Sequence, residues 1–287
     1  MLIACVQSDV SFADPQANLQ RVLNWMDRAE SIAGHSSAGQ SSGFPELLVF
    51  PECLLTGYCF DSRQQAMEVA LPETSPIFAS IADAAQQRQC HVSVGFLERS
   101  GQQLFNSAAL IGPAGIVSVY RKIHLPHLGV DRFVDRGDRP YRAVAVDGAG
   151  GSVKIGLAIC YDASFPEPMR VLGLDGAEII ALGTNWPVEA TRTPELVPPA
   201  RSMENHLYFV AANRVGTENG FAFSGRSSIC GPDGMVLASS DDDQETLLLA
   251  EVDLQAARDK SIERTQGSHR IHRFDDRCPQ FYGPIIE

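Results

Sequence analysis

The run Val153-Lys-Ile-Gly-Leu-Ala-Ile159 ends at Cys160 and turns through Tyr161, Asp162 and Ser164 toward Pro166 and Pro168. Its β-branched and apolar content reads as a buried strand, and the two prolines stand where a helix begins, because proline is tolerated in a first turn. Glu178 to Leu182 is the next apolar run, so the segment predicts a βαβ unit, which commits the chain to alternating α and β layers. Cys160 then falls on the corner between strand and helix. Backbone N–H groups left unpaired at a helix start lower a thiolate pKa and can hold an oxyanion. An unpaired cysteine fills core just as readily, so the remainder of the chain has to decide between the two.

The β-then-α order recurs along the chain. Leu2 to Gln7 is a short apolar strand, and Pro15 to Ile32 follows as a helix with Leu19, Val22, Leu23, Met26 and Ala29 on one stripe. Gly34 to Gly43 is rich in Ser and Gly and predicts a flexible surface loop. Leu47 to Phe50 reads as a strand running into the irregular loop Pro51-Glu52-Cys-Leu-Leu-Thr-Gly-Tyr58. A helix over 76–88, strands over His91–Glu98 and Leu104–Ile111, and a turn into Ile116–Lys122 come next. Ile123 to Arg139 is a loop rich in Pro, Gly, His and charge. Strands are expected over Arg142–Val146, Leu207–Asn213, Ser227–Cys230, Met235–Ala238 and Thr246–Val252, and helices from about Pro194 to His206 and after Val252. From Ile262 the chain reads as a polar tail. Ala108–Val117 and Ser227–Val236 repeat one pattern, strand, G-P-x-G turn, strand, which hints at two similar halves packed face to face.

Composition narrows the function. Thirty-five acidic against 23 basic residues give a formal charge of −12, which disfavours gripping phosphate backbones and so excludes nucleic acid as the expected partner. No basic leader or membrane-length apolar run is present, and the seven scattered cysteines form no C-x-x-C pair, so a reduced, cytoplasmic protein with free thiols is expected. No His and Cys spacing fits a zinc ligand set.

Glu52, Lys122 and Cys160 share one description: each stands at or just past the end of a predicted strand, where side chains distant in sequence converge on a pocket. The residues around them, Phe50-Pro-Glu52 with Leu55-Thr-Gly-Tyr58, then Tyr120-Arg-Lys122-Ile-His-Leu-Pro126, then Ile159-Cys160-Tyr-Asp162 with Phe165-Pro-Glu167, resemble the three signature motifs of the nitrilase superfamily, the carbon–nitrogen hydrolases. Gly183-Thr-Asn-Trp-Pro187, Arg201 with Glu204-Asn205, Ala211-Ala-Asn-Arg-Val-Gly216 and Phe223-Ser-Gly225 are similar as well, so the likeness runs from Val6 to about Val252.

The resemblance implies an α/β fold, the four-layer α-β-β-α sandwich, as one domain over 1–287 with the segment from about 262 at a subunit interface, commonly assembled through dimers. It implies a Glu–Lys–Cys triad that needs no cofactor and no metal, acting on a small-molecule amide. Cys160-Tyr-Asp162 is closer to the C-Y-D of amidase-like branches than to the C-W-E of nitrilases. N-carbamoyl amides and nitriles are the rival substrates, and a non-catalytic oligomeric protein on the same fold is the rival class. The family's second carboxylate, in the loop after the lysine, falls on Asp131, with Asp135 as runner-up, because Leu128–Asp138 contains no Glu. Tyr58, Asn185 and Trp186 lie in motifs that resemble substrate-lining positions, although Trp186 fits core equally well.

The chemistry expected of the triad follows from its residue types. A thiol is a weak nucleophile until deprotonated; Glu52 can take its proton, and Lys122 with the backbone N–H of Tyr161 can hold the charge that builds on the attacked group. His124 or His127 could instead serve as base to Cys160.

Overall fold

The computed structural model describes residues 1–34, 43–148 and 151–285; most of the expected Gly34–Gly43 loop lies outside the described residues. In chain order the strands are β1 (Leu2–Gln7), β2 (Leu47–Val49), β3 (His91–Ser100), β4 (Gln103–Gly112), β5 (Gly115–Arg121), β6 (Ala143–Gly148), β7 (Gly151–Ile159), β8 (Ile179–Thr184), β9 (Tyr208–Asn213), β10 (Thr217–Glu218), β11 (Phe221–Ala222), β12 (Ser228–Cys230), β13 (Val236–Ser239), β14 (Thr246–Glu251), β15 (Ser261–Thr265) and β16 (His269–His272). The helices are α1 (Pro15–Gly34), α2 (Arg63–Val69), α3 (Pro76–Arg88), α4 (Pro166–Leu174), α5 (Thr193–Asn205) and α6 (Leu254–Arg258).

Two six-stranded sheets result, ordered β14-β1-β2-β3-β4-β5 and β13-β12-β9-β8-β7-β6. In the first, β1, β2 and β3 run parallel, with Ile3 beside Leu47 and Leu47 beside His91. In the second, β7, β8 and β9 do the same, with Ile155 beside Ile179 and Ile179 beside Tyr208. Each parallel trio continues into an antiparallel hairpin, β4–β5 or β12–β13, and the two G-P-x-G turns close these corresponding hairpins. Gly115 and Gly234 carry the positive φ that such a turn requires.

Strand alternation builds the layers. On β1, Ile3 and Cys5 face Ile155, Leu157 and Ile159 of the other sheet, whereas Ala4 and Val6 turn to Met26 of α1 and to Ile81 and Ala85 of α3. On β7, Gly156 turns the opposite way to Leu157, and a methyl group there would lie 3.0 Å from Leu172 of α4. The order is therefore helix, sheet, sheet, helix, a four-layer α-β-β-α sandwich whose two sheets bury their inner faces against each other.

The structure adds elements that the sequence reading leaves out: α2, the short β10–β11 pair and a hairpin in the tail. The polar tail folds into the β15–β16 hairpin, whose residues are largely exposed and show no apolar alternation to announce it. The corner after Cys160 agrees with the reading: a short 3-10 turn, Cys160–Ser164, leads to α4, which starts at Pro166 because proline fixes the first helical φ and restricts the residue before it.

Candidate active site

Because β3 is antiparallel to β4 and β4 to β5, the C-terminal ends of β2 and β5 and the start of β4 lie along one edge of the first sheet. The C-terminal ends of β7 and β8 lie along one edge of the second. Glu52 follows β2 on a main chain clasped between the sheets: a methyl on Gly95 of β3 would sit 2.4 Å from the Cys53 nitrogen, and one on Gly183 of β8 would sit 2.9 Å from the Glu52 nitrogen. Any side chain at either glycine would expel this segment.

Four buried side chains close a ring. Lys122 Nζ donates to Glu52 Oε1 at 2.7 Å and to Asp131 Oδ2 at 2.6 Å, while Asn106 Nδ2 donates to Glu52 Oε1 at 2.7 Å and to Asp131 Oδ1 at 2.9 Å. The Lys122, Glu52 and Asp131 side chains are wholly buried, so the charges meet with almost no water to screen them. Glu52 Oε2 is the one carboxylate oxygen of the ring with no hydrogen-bond partner among the described residues. The Tyr58 hydroxyl donates to Asp131 Oδ2 at 2.9 Å, and the Tyr58 and Cys59 backbone N–H groups donate to Glu218 Oε1 at 2.7 and 2.6 Å. Arg214, fully buried, balances Glu218 at 2.8 Å.

Cys160 adopts φ +42°, a left-handed conformation uncommon for a residue with a side chain, which lifts the thiol off the line of β7 at the first residue of the 3-10 turn. Asp162 holds the corner: it accepts from the Ile159 N–H at 3.0 Å, the Tyr120 hydroxyl at 2.8 Å and the Tyr141 hydroxyl at 2.9 Å. Burial pushes the Cys160 thiol up to about 12, and the Glu52 carboxylate adds to it; Lys122, the Thr184 hydroxyl and the Asn185 main chain pull the other way. The thiol is therefore protonated at neutral pH and needs a base. Burial also raises the Glu52 carboxyl above its ordinary range; Lys122 opposes this, Asp131 reinforces it, and the Asn106 hydrogen bond opposes it again. For Lys122, burial alone would favour the neutral amine, but Asp131 and Glu52 outweigh it and hold the ammonium well above the usual lysine range.

Of the two carboxylates weighed for the loop after the lysine, Asp131 is in the ring. Asp135 is elsewhere: it pairs with Arg63 at 2.7 Å and accepts from the Leu104 N–H at 2.9 Å, tying the loop to the start of β4. Asp131→Asn is expected to lower kcat about 10²- to 10³-fold, whereas Asp135→Asn leaves kcat within about threefold and costs at most about 1 kcal/mol, since its ion pair is half-exposed. Steady-state ammonia assays and urea melts on both variants check this.

The other expected residues divide. Asn185 is buried beside Cys160, and neither Oδ1 nor Nδ2 of its side chain has a partner among the described residues. Trp186 is buried in the apolar cluster between the layers, which also holds Cys160, and its main-chain N–H donates to Asn213 Oδ1 at 2.8 Å. The Tyr58 hydroxyl bonds Asp131 instead of facing an open pocket. Tyr161 is partly exposed, edge-on to Phe165. His124 is bonded to Asp162 at 2.8 Å through Nδ1 and stacks on Phe165, and His127 is exposed; the groups that act most on the Cys160 thiol are Glu52, Lys122, Thr184 and Asn185.

Asn106 and Glu218 were not anticipated. Their signals were faint: Asn106-Ser107 is a polar pair inside the apolar strand Leu104–Ile111, and Glu218 is one carboxylate among many.

A family model for carbon–nitrogen hydrolases matches residues 2–260. A nitrilase of Pyrococcus abyssi is 33% identical over 282 residues, 98% of each chain. An (R)-stereoselective amidase of a Pseudomonas sp. is 34% identical over 263 residues, 90% of this chain and 88% of its own. Among solved structures, an amidase of Nesterenkonia sp. AN1, with acrylamide joined by Michael addition to its active-site cysteine, aligns with a TM-score of 0.72 at 23% identity, covering 91% of this chain and 96% of its own. That structure shares the fold, and the matches to the family model and to the two relatives extend along the sequence: the chain belongs to the carbon–nitrogen hydrolase family.

Proposed function

We propose that within this family the chain is an amidase, hydrolysing a small primary amide to its acid and ammonia through a thioester on Cys160. The observation that carries the reading is the ring in which Glu52 Oε1 is occupied while Oε2 is left unpartnered in a buried site beside a protonated thiol.

In this reading Glu52 Oε2 takes the Sγ proton as sulfur attacks the amide carbon, and the carbonyl π electrons move onto oxygen. Lys122 and the Tyr161 N–H stabilise that oxyanion. As the oxyanion collapses the C–N bond breaks, its electron pair leaves on nitrogen, and Glu52 returns the proton to it, releasing ammonia. Water then adds to the thioester while Glu52 takes one of its protons. The C–S bond breaks, the thiolate recovers that proton and the acid departs. The sum is amide plus water to acid plus ammonia.

Asn185 favours an amide over a nitrile. Its unpaired carboxamide offers an acceptor oxygen and a donor NH2, which match the N–H and C=O of an amide group, whereas a nitrile has no N–H to satisfy the acceptor. The apolar side chains exposed on α4, α5 and the C-terminal segment, among them Val171, Leu174, Met203, Phe281 and Ile285, support reading the enzyme as a homo-oligomer. No described helix is long and apolar enough to cross a membrane.

A panel of aliphatic amides, ω-amides, N-carbamoyl compounds and nitriles tests the substrate class. Primary amides are expected to give the highest kcat/KM with stoichiometric ammonia; a nitrile or carbamoyl compound turned over at least tenfold better than every amide would overturn it.

A further inference from the structure

We infer that Asn106 is a positioning residue that selects which oxygen of Glu52 carries the proton: it and Lys122 occupy Oε1, leaving Oε2 to work on the reacting atoms. The inference rests on Glu52 being the base, as proposed above.

A carboxylate has two nearly equivalent oxygens, and one that can rotate or share its charge equally is a poorly aimed base. Here Oε1 accepts from Lys122 Nζ and from Asn106 Nδ2, each at 2.7 Å. Those two donors fill its lone pairs and lower its basicity, so proton affinity concentrates on Oε2, which lacks a partner among the described residues.

The carboxamide cannot be reversed without loss. Its second Nδ2 hydrogen goes to Asp131 Oδ1 at 2.9 Å, and the Cys53 thiol donates to Asn106 Oδ1 at 3.4 Å. A flipped amide would set its carbonyl oxygen against both carboxylates. Cys53, next to the base, thus has a function that its sequence position does not suggest: it fixes the face that Asn106 presents.

Asn106 does as a neutral group what Lys122 does as a cation, since both bridge the same two carboxylates. A second cation would hold Glu52 so firmly ionised that it would be a feeble base, whereas a neutral donor aims it and leaves it basic. The groups facing Glu52 are Lys122 after β5, Asp131 on the 3-10 turn Gly129–Arg132, Cys160 after β7, and Cys53, Tyr58 and Cys59 on its own loop. Burial keeps the three thiols and the phenol protonated, so Lys122 and Asp131 are the charged neighbours.

The test compares kcat/KM against pH, on one primary amide, for wild type, Asn106→Leu, Asn106→Asp and Glu52→Gln, with thermal melting to confirm folding. Removing a donor from a carboxylate raises its pKa, and the reaction needs the ionised base. The acid limb of Asn106→Leu is therefore expected about one pH unit higher, so its deficit grows as pH falls through the limb and reaches about tenfold more, relative to the alkaline plateau, once pH is below both limbs. Asn106→Asp keeps the shape and replaces the donor by a third carboxylate, so its limb moves further the same way, and it decides the matter if the leucine variant does not fold. A folded variant whose rate loss is uniform across pH, with the wild-type limb, would overturn the role of Asn106. Glu52→Gln separates the two claims: wild-type turnover there removes Glu52 as base, whereas an inactive Glu52→Gln beside unmoved limbs removes only Asn106.

Discussion

In the Cys160→Ala protein, ammonia release from primary amides is expected to fall by more than about 10⁴-fold, to the level of the assay blank, with the melting temperature within a few degrees of wild type. The activity loss follows because no other described thiol can substitute. Cys53 is the next in sequence to the base, but its proton is committed to Asn106 Oδ1 and it lies in the loop after β2 rather than at the strand-to-helix corner. The fold survives because the alanine methyl retains most of the packing at a site whose φ of +42° is held by Asp162, not by the thiol. Intact-protein mass spectrometry with a slowly deacylating amide gives the complementary result: an acyl adduct on wild type that is absent from the variant. Undiminished turnover by Cys160→Ala, or an adduct mapping to Cys53, would sink the assignment.

Replacing Lys122 by methionine is expected to damage both activity and stability. Methionine fills a similar volume, so packing is largely kept, but Glu52 and Asp131 are left as two buried carboxylates bridged only by Asn106. Removing one partner of a buried ion pair costs about 3–5 kcal/mol, and here a single cation serves two anions. The penalty has a defined pH dependence. Without the ammonium, burial and the neighbouring Asp131 raise the Glu52 carboxyl further above its value in the unfolded chain, so the native state binds more protons. The variant's stability deficit is therefore smaller near pH 5 and grows as pH rises toward 8. Urea unfolding at the two pH values measures this; a deficit independent of pH would contradict the charge arrangement. Turnover is expected to fall about 10³-fold or more, since the cation next to the developing oxyanion is gone.

Much of this site is legible in the sequence. Glu52 and Cys160 follow apolar runs that only strands explain, and Lys122 ends a run opened by a G-P-x-G turn, so three chemically complementary groups were all assigned to strand ends. Asp131 was legible as well, as a carboxylate nine positions after the lysine, but its rival Asp135 was not separable from it. The separation depends on where a loop closes: the Gly137 N–H donates to Lys122 O at 2.9 Å, and Asp135 is drawn to Arg63, a residue 72 positions away. Trp186 illustrates the opposite limit. An aromatic residue next to a pocket and one packed in the layer beneath it have the same local sequence, and only the three-dimensional neighbours distinguish them.

The sequence by itself carried the alternating α and β elements and the placing of Glu52, Lys122 and Cys160 at strand ends, because strand periodicity, proline and glycine placement and residue chemistry are local properties; the four-layer order and the triad reading came with the family resemblance. Tertiary structure alone decided the wiring. That Asn106 spans Glu52 and Asp131, that Glu218 holds the Tyr58 loop and that Oε2 of Glu52 has no partner among the described residues are facts about groups between four and 160 positions apart. Hydrogen bonds of this range depend on distances of a few tenths of an ångström, set by how two sheets pack, and no pattern within a strand or a loop encodes them.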